Sequence, residues 1–190
     1  FVQFLPSLLS VGRCDLAADF RPMSVAAAGL KPGCDYPGVG VGAFVFDDEG
    51  RVLLVKRSSA SRTAPGTWAR PGGAVEFGES CEAAVVRELL EETGLRICSP
   101  ELLDVSSQVS SGSHWVAIGY IAQLEKGCAP ASAVNLEPGK HDDLRWFSLK
   151  ELPEPIADFT AAGFEKLLAR SSAATSAAPE QGVKRGRSSE

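Results

Sequence analysis

The chain has no surplus of positive charge. Its 190 residues carry 19 Lys and Arg against 24 Asp and Glu, a formal net charge of −5. A protein that neutralises a run of phosphates along a nucleic acid polymer needs the opposite balance, so that class of partner is not expected. No apolar run approaches the roughly 20 residues that cross a bilayer as a helix, and no membrane association is expected. Histidine is scarce, with two in all, and the five cysteines are odd in number. Cys14, Cys34, Cys81, Cys98 and Cys128 form no C-x-x-C and no Cys/His cluster. That disfavours both a disulfide framework and a structural zinc, and a reducing compartment is the simplest reading. The expected location is cytoplasmic. An organelle is the alternative if the Ala/Ser-rich, acid-poor segment 1–36 is a transit peptide.

What the chain does have is one dense stretch. Gly72-Gly73-Ala74-Val75-Glu76-Phe77-Gly78-Glu79 runs through Ser80 to Leu95 as SCEAAVVRELLEETGL. A glycine turn leads into an amphipathic helix, with Ser80 as N-cap, Glu82 in the first turn and Gly94 as the left-handed stop. At about 100° per residue, Glu88, Glu91 and Glu92 share one side while Val85, Val86, Leu89 and Leu90 occupy the other. Like charges at i, i+3 and i+4 repel. Oxygen ligands converging on one point suit a hard divalent cation, Mg²⁺ or Mn²⁺, rather than zinc. A solvated acidic face, eased by an Arg87–Glu91 pair, is the plainer alternative.

Around this stretch the chain reads as one domain over residues 37–170. Gly38–Val45 alternates with period two, 47–50 is a hairpin turn, and 51–57 is the returning, central strand. Segments 101–109, 115–124 and 144–147 read as further strands, and 157–169 as a final packing helix. Residues 1–36 read as a disordered or targeting extension. Residues 171–190 read as a disordered tail whose basic patch, Lys184, Arg185 and Arg187, is solubilising.

The glycine–helix stretch resembles the Nudix box, G-x5-E-x7-R-E-U-x-E-E-x-G-U with U a bulky aliphatic. Gly73, Glu79, Arg87, Glu88, Leu89, Glu91, Glu92, Gly94 and Leu95 fill every specified position. The resemblance implies an α/β fold, the Nudix α/β/α sandwich with a mixed sheet between helices. It implies a hydrolase of phosphoric anhydrides that uses Mg²⁺, with Mn²⁺ as the alternative. Position by position, Glu88, Glu91 and Glu92 match metal ligands and the Gly72 carbonyl matches a further one. Arg87 matches the residue that orients the glutamates. Gly73, Glu79 and Gly94 match the structural positions of the box. The general base falls to Glu88 or Glu91.

Outside the box, Asn135-Leu136-Glu137-Pro138 followed by Trp146 resembles a MutT-like subgroup that includes nucleotide-pool sanitising enzymes and a plant cytosolic branch. This implies a further metal ligand or base at Glu137. The implied substrate is a nucleoside triphosphate, an oxidised purine form such as 8-oxo-dGTP included, cleaved to monophosphate and pyrophosphate. Trp68, Phe77 and Trp115 are the candidates to stack on its base. Prenyl diphosphates are an alternative substrate through the plant branch. A second alternative is coenzyme A, because the segment from Leu53 to Gly73 resembles the upstream signature of coenzyme A diphosphatases, departing from it at Val55 and Arg70. A non-enzymatic nucleotide-binding domain is disfavoured because no box carboxylate is lost. A homodimer is suggested by family analogy alone.

Overall fold

A computed structural model describes residues 29–110 and 112–176. By its contacts the chain divides at Leu30 and Lys31. The fold below is that of the part beginning at Lys31. Most of the amino-terminal extension and residues 177–190, with the Lys184–Arg187 patch, lie outside the described residues.

Two three-stranded sheets carry the fold. The first is mixed. Strand β5 (Ser113–Leu124) lies at its centre, parallel to β1 (Gly38–Val45) and antiparallel to β4 (Ile97–Ser110). The second is antiparallel, with β2 (Val52–Arg57) between β3 (Trp68–Ala69) and β6 (His141–Phe147). Helix α1 (Cys81–Thr93) packs on β1 and β4, and α2 (Asp158–Ser176) packs on β4.

The alternation in β1 explains both cores. Val41, Ala43 and Val45 face Ala84, Val85 and Leu89 of α1. Phe44, on the opposite face, joins Val52, Leu54, Trp68, Phe164 and Leu167. The helix begins and ends as its local chemistry dictates. The Ser80 hydroxyl accepts from the Ala83 N–H, and Gly94 at φ 70° closes the last turn with its N–H on the Leu90 carbonyl.

Two expectations need correction. The 47–50 turn forms, with Asp47 Oδ1 accepting from the Glu49 and Arg51 N–H groups. Yet β1 and β2 do not pair as a hairpin. Beyond a single bridge, Phe46 to Val52, they part into different sheets, because β1 takes β5 as partner and β2 takes β6 and β3. The final helix runs on to Ser176, past the expected end at 169, through small Ala and Ser residues. A loop at Lys31–Tyr36 is closed by Gly33 N–H on the Tyr36 carbonyl, and the Gly33 carbonyl accepts from the His114 N–H. Cys34, Cys81, Cys98 and Cys128 are free thiols. No helix among the described residues is long and apolar enough to cross a membrane.

A buried charge pair sits where the two sheets and α2 meet. Arg70 Nη1 donates to Asp104 Oδ1 at 3.0 Å, with side-chain exposures of 2% and 5%. The guanidinium lies 5.4 Å from the centre of the Phe44 ring, and the Arg70 N–H donates to Thr160 Oγ1. Glycines make the room. A β-carbon at Gly119 would lie 2.0 Å from Asp104 Oδ1, and one at Gly163 would lie 2.3 Å from Arg70 Nη1. Alanine in a helix interior ordinarily gains about 0.5–1 kcal/mol over glycine. Gly163→Ala should reverse that sign and destabilise by roughly 1–3 kcal/mol through overpacking against Arg70 and Phe44. Urea unfolding of the two proteins checks it, and a stabilised variant would show that the packing around Arg70 is loose.

Candidate active site

Arg87 organises the acidic face of α1. Its Nε and Nη2 donate to the two carboxylate oxygens of Glu79, each at 2.9 Å. Nη1 donates to Glu88 Oε1 at 2.8 Å and to Glu91 Oε2 at 3.1 Å. Nη2 also donates to the Ala74 carbonyl at 3.1 Å, which fastens the helix to the glycine turn. Such forked, charge-assisted bonds suit arginine and not lysine. They hold the Glu79 carboxyl below its ordinary range.

The turn fits the carboxylates by being small. A β-carbon at Gly73 would lie 2.4 Å from the Glu88 carboxyl carbon, and one at Gly72, where φ is 148°, would strike the Val41 carbonyl at 2.1 Å. The Pro71 and Gly73 carbonyls accept from Ala43 and Val41 of β1, while the Gly72 N–H donates to Glu92 Oε2 at 2.8 Å.

Glu92 lies beyond the reach of Arg87 and forms a second group. Its Oε1 is 3.5 Å from His141 Nε2, and Glu92, Glu137 and His141 offer ligand atoms that all lie within 4.8 Å of one another. The loop between β5 and β6 is pinned to the end of α1 by Val134 N–H on the Thr93 carbonyl and Leu136 N–H on the Glu92 carbonyl. Asn135 braces it further, donating from Nδ2 to the His141 carbonyl and accepting from the Glu137 N–H. Glu137 Oε1 pairs with Lys140 at 2.7 Å, whereas its Oε2 is buried without a partner.

Burial sets the protonation states. Glu92 is pushed up to about 8, first by burial and then by the Glu88 and Glu137 charges, with the Gly72 N–H opposing. Burial also raises Glu88, against the pull of Arg87. His141 is pushed down to about 4, by burial and then by Arg57. Glu92 and Glu88, both raised by burial, with the orphaned Glu137 Oε2 beside Glu92, fit a divalent cation as their counter-charge.

Glu88 of the first group and Glu92 and His141 of the second line a cleft of about 720 Å³. Arg57, Arg62 and Lys140 line it, as do Glu88, Glu92 and Trp115. Of the aromatic candidates, only Trp115 is on its wall. Trp68 is brought elsewhere. It is 6% exposed in the second core, edge-on to Phe147, with no ring face left to stack on a ligand. Phe77 stands 96% exposed on the turn before α1 and does not line the cleft. Glu91 is half exposed and bound to Arg87. Sequence reasoning missed His141, Lys140 and Arg57. The Glu137-x3-His141 spacing, one of only two histidines beside a suspected ligand, was the available signal for the first.

The NUDIX domain model matches residues 36–168. The chain belongs to the Nudix hydrolase family. It is MutT-like. A MutT-like protein of Streptomyces ambofaciens is 31% identical over 123 residues, covering 65% of this chain and 71% of that protein. A MutT Nudix hydrolase of Burkholderia pseudomallei superposes with a TM-score of 0.62 at 37% identity, covering 69% of this chain and 98% of the other. An NAD-capped RNA hydrolase of Stutzerimonas stutzeri is 33% identical over 133 residues, but this chain spans only 44% of its length. As a Nudix hydrolase the chain acts on phosphoric anhydrides.

Two outcomes follow for the Nudix site. In metal-free protein, Glu92 binds its proton more tightly folded than unfolded, so its stabilisation is lost as pH rises from the ordinary carboxylate range through about 8. His141 acts oppositely, losing stability as pH falls from about 6.5 through about 4. Between pH 6.5 and 8 only Glu92 of this pair titrates. The Tm in chelator should therefore fall across that window, and Glu92→Gln should flatten the fall. An equal slope in the variant would place the titration elsewhere. Separately, Gly73→Ala should displace the Glu88 carboxylate and lower kcat on the order of 100-fold with the far-UV circular dichroism unchanged.

Proposed function

We propose that this Nudix hydrolase cleaves a nucleoside triphosphate, oxidised purine forms such as 8-oxo-dGTP included, to the monophosphate and pyrophosphate. The observation that carries this reading is the composition of the one cleft on which the box carboxylates open. Arg57, Arg62 and Lys140 supply cations for a polyphosphate, and Trp115 supplies an aromatic surface for a base.

The ligands are Glu88, Glu91, Glu92, Glu137 and the Gly72 carbonyl, holding Mg²⁺ or Mn²⁺. When bound, the cation neutralises non-bridging oxygens, lowers the pKa of a bound water and stabilises the departing pyrophosphate. The chain's own groups do the rest. Glu88 is 7% exposed beside Gly73, and burial raises its proton affinity. It is therefore the better placed of the two candidate bases to take a proton from attacking water. Arg87 holds Glu88 and Glu91 in fixed positions, so neither must reorganise during the step. The phosphate-binding cations exclude competing water from the anhydride and set its orientation.

The test is a panel of dGTP, 8-oxo-dGTP, geranyl diphosphate, coenzyme A and ADP-ribose with Mg²⁺, scored by product identity. Monophosphate plus pyrophosphate from the purine triphosphates is expected, and Glu88→Gln should lower kcat by about 10²–10⁴. Cleavage of coenzyme A to 3′,5′-ADP and phosphopantetheine, with the triphosphates untouched, would overturn the reading. So would pyrophosphate release that survives Glu91→Gln and Glu92→Gln unaltered.

A further inference from the structure

His141 is not among the positions the box or the loop motif specifies, yet it is built into the site. Its side chain is 3% exposed. Its Nε2 points at Glu92 Oε1 from 3.5 Å, longer than a good hydrogen bond. Its Nδ1 is buried with no partner. Burying an imidazole whose polar atoms are this poorly met is unfavourable unless something else meets them. The backbone has been shaped to hold it there. The Glu137 carbonyl accepts from both the Lys140 and the His141 N–H, a helical turn that places the two side chains, four residues apart, on the same side. The Asn135 amide ties down the His141 carbonyl. Opposite stands Glu137 Oε2, also buried and unpartnered. Glu92, Glu137 and His141, from two elements, each bring one ligand atom to within 4.8 Å of the others, with Nε2 the His141 nitrogen that faces Glu92.

We propose that His141 Nε2 is a direct ligand of a divalent cation held together with Glu92 and Glu137, and that this nitrogen biases the site toward first-row transition cations over Mg²⁺. The bias follows from ligand chemistry. Carboxylates alone suit Mg²⁺ and Mn²⁺, whereas imidazole binds Mg²⁺ poorly and strengthens binding along the transition series. The neutral ring has a lone pair to give, and Lys140 on Glu137 Oε1 leaves Oε2 free to converge with it. This rests on the metal-dependent reading above, but the nitrogen ligand is a separate claim.

Pulsed electron paramagnetic resonance of the full chain loaded with Mn²⁺ tests it. The sequence holds only His114 and His141, and His114 lies in β5, outside the cluster. The spectrum should therefore show imidazole nitrogen coupling that changes from a ¹⁴N to a ¹⁵N pattern when the protein is made with ¹⁵N-histidine. His141→Gln should abolish the coupling and weaken Mn²⁺ and Co²⁺ binding about 10–100-fold, with Mg²⁺ affinity little changed. Bound Mn²⁺ without histidine coupling, coupling that persists in His141→Gln, or no Mn²⁺ bound would each overturn the proposal. The isotope comparison uses unmutated protein and decides the matter even if the variant does not fold. Pyrophosphate release measured on the same preparation separates the two claims. Turnover without nitrogen coupling removes His141 alone, and coupling without triphosphate turnover removes the substrate reading alone.

Discussion

Mutual repulsion among carboxylates on one helix face is the constraint from which the rest of the structure follows. Arg87 answers most of it, binding Glu79, Glu88 and Glu91 at once. Because the same guanidinium also holds the Ala74 carbonyl, the helix cannot shift without the glycine turn. The turn in turn is laced to β1 through Val41, Ala43 and Val75. Strand, turn and helix are therefore one mechanical piece. Glu92 is the exception. Its charge meets an amide N–H on one side and poorly satisfied groups on the other, and burial holds it protonated near neutrality. Burial and the neighbouring Glu88 and Glu137 charges make this the place in the fold where an added counter-charge would be most favourable.

The cleft is built from elements far apart in the chain. Trp115 stands on β5, Arg57 on β2, and Lys140 on the loop before β6. The Nudix box supplies only the reactive edge of the cleft. This division explains how one box serves many substrates. The box residues sit on α1 and its turn, while the rest of the cleft wall comes from strands and loops remote from them in sequence.

The local part of this design was legible in the sequence, and the nonlocal part was not. Ser80, Gly94 and the Val85/Leu89 stripe each act within a turn or two of helix, so residue type alone placed α1 correctly. The β1–β2 hairpin looked equally local, but the pairing of β1 was decided by β5, some 75 residues away, which no turn chemistry announces. Trp68 shows the same limit from another side. Its composition suits a ligand platform or a core, and only the arrival of Phe147 and Ile156 settles that it is core. Asp104 carried no motif at all. It matters because β4 brings it to Arg70, 34 residues earlier in the chain.

That buried pair has a consequence for how the molecule assembles. Gly42 and Gly119 face each other in the β1–β5 ladder, and both give their missing side-chain volume to Arg70 and Asp104. A one-residue slip of either strand would move the void away from the guanidinium and swing the alternate side chains across the sheet. Arg70 thereby acts as a key that turns only in the native alignment. The native register of the two strands is thus fitted to one buried ion pair.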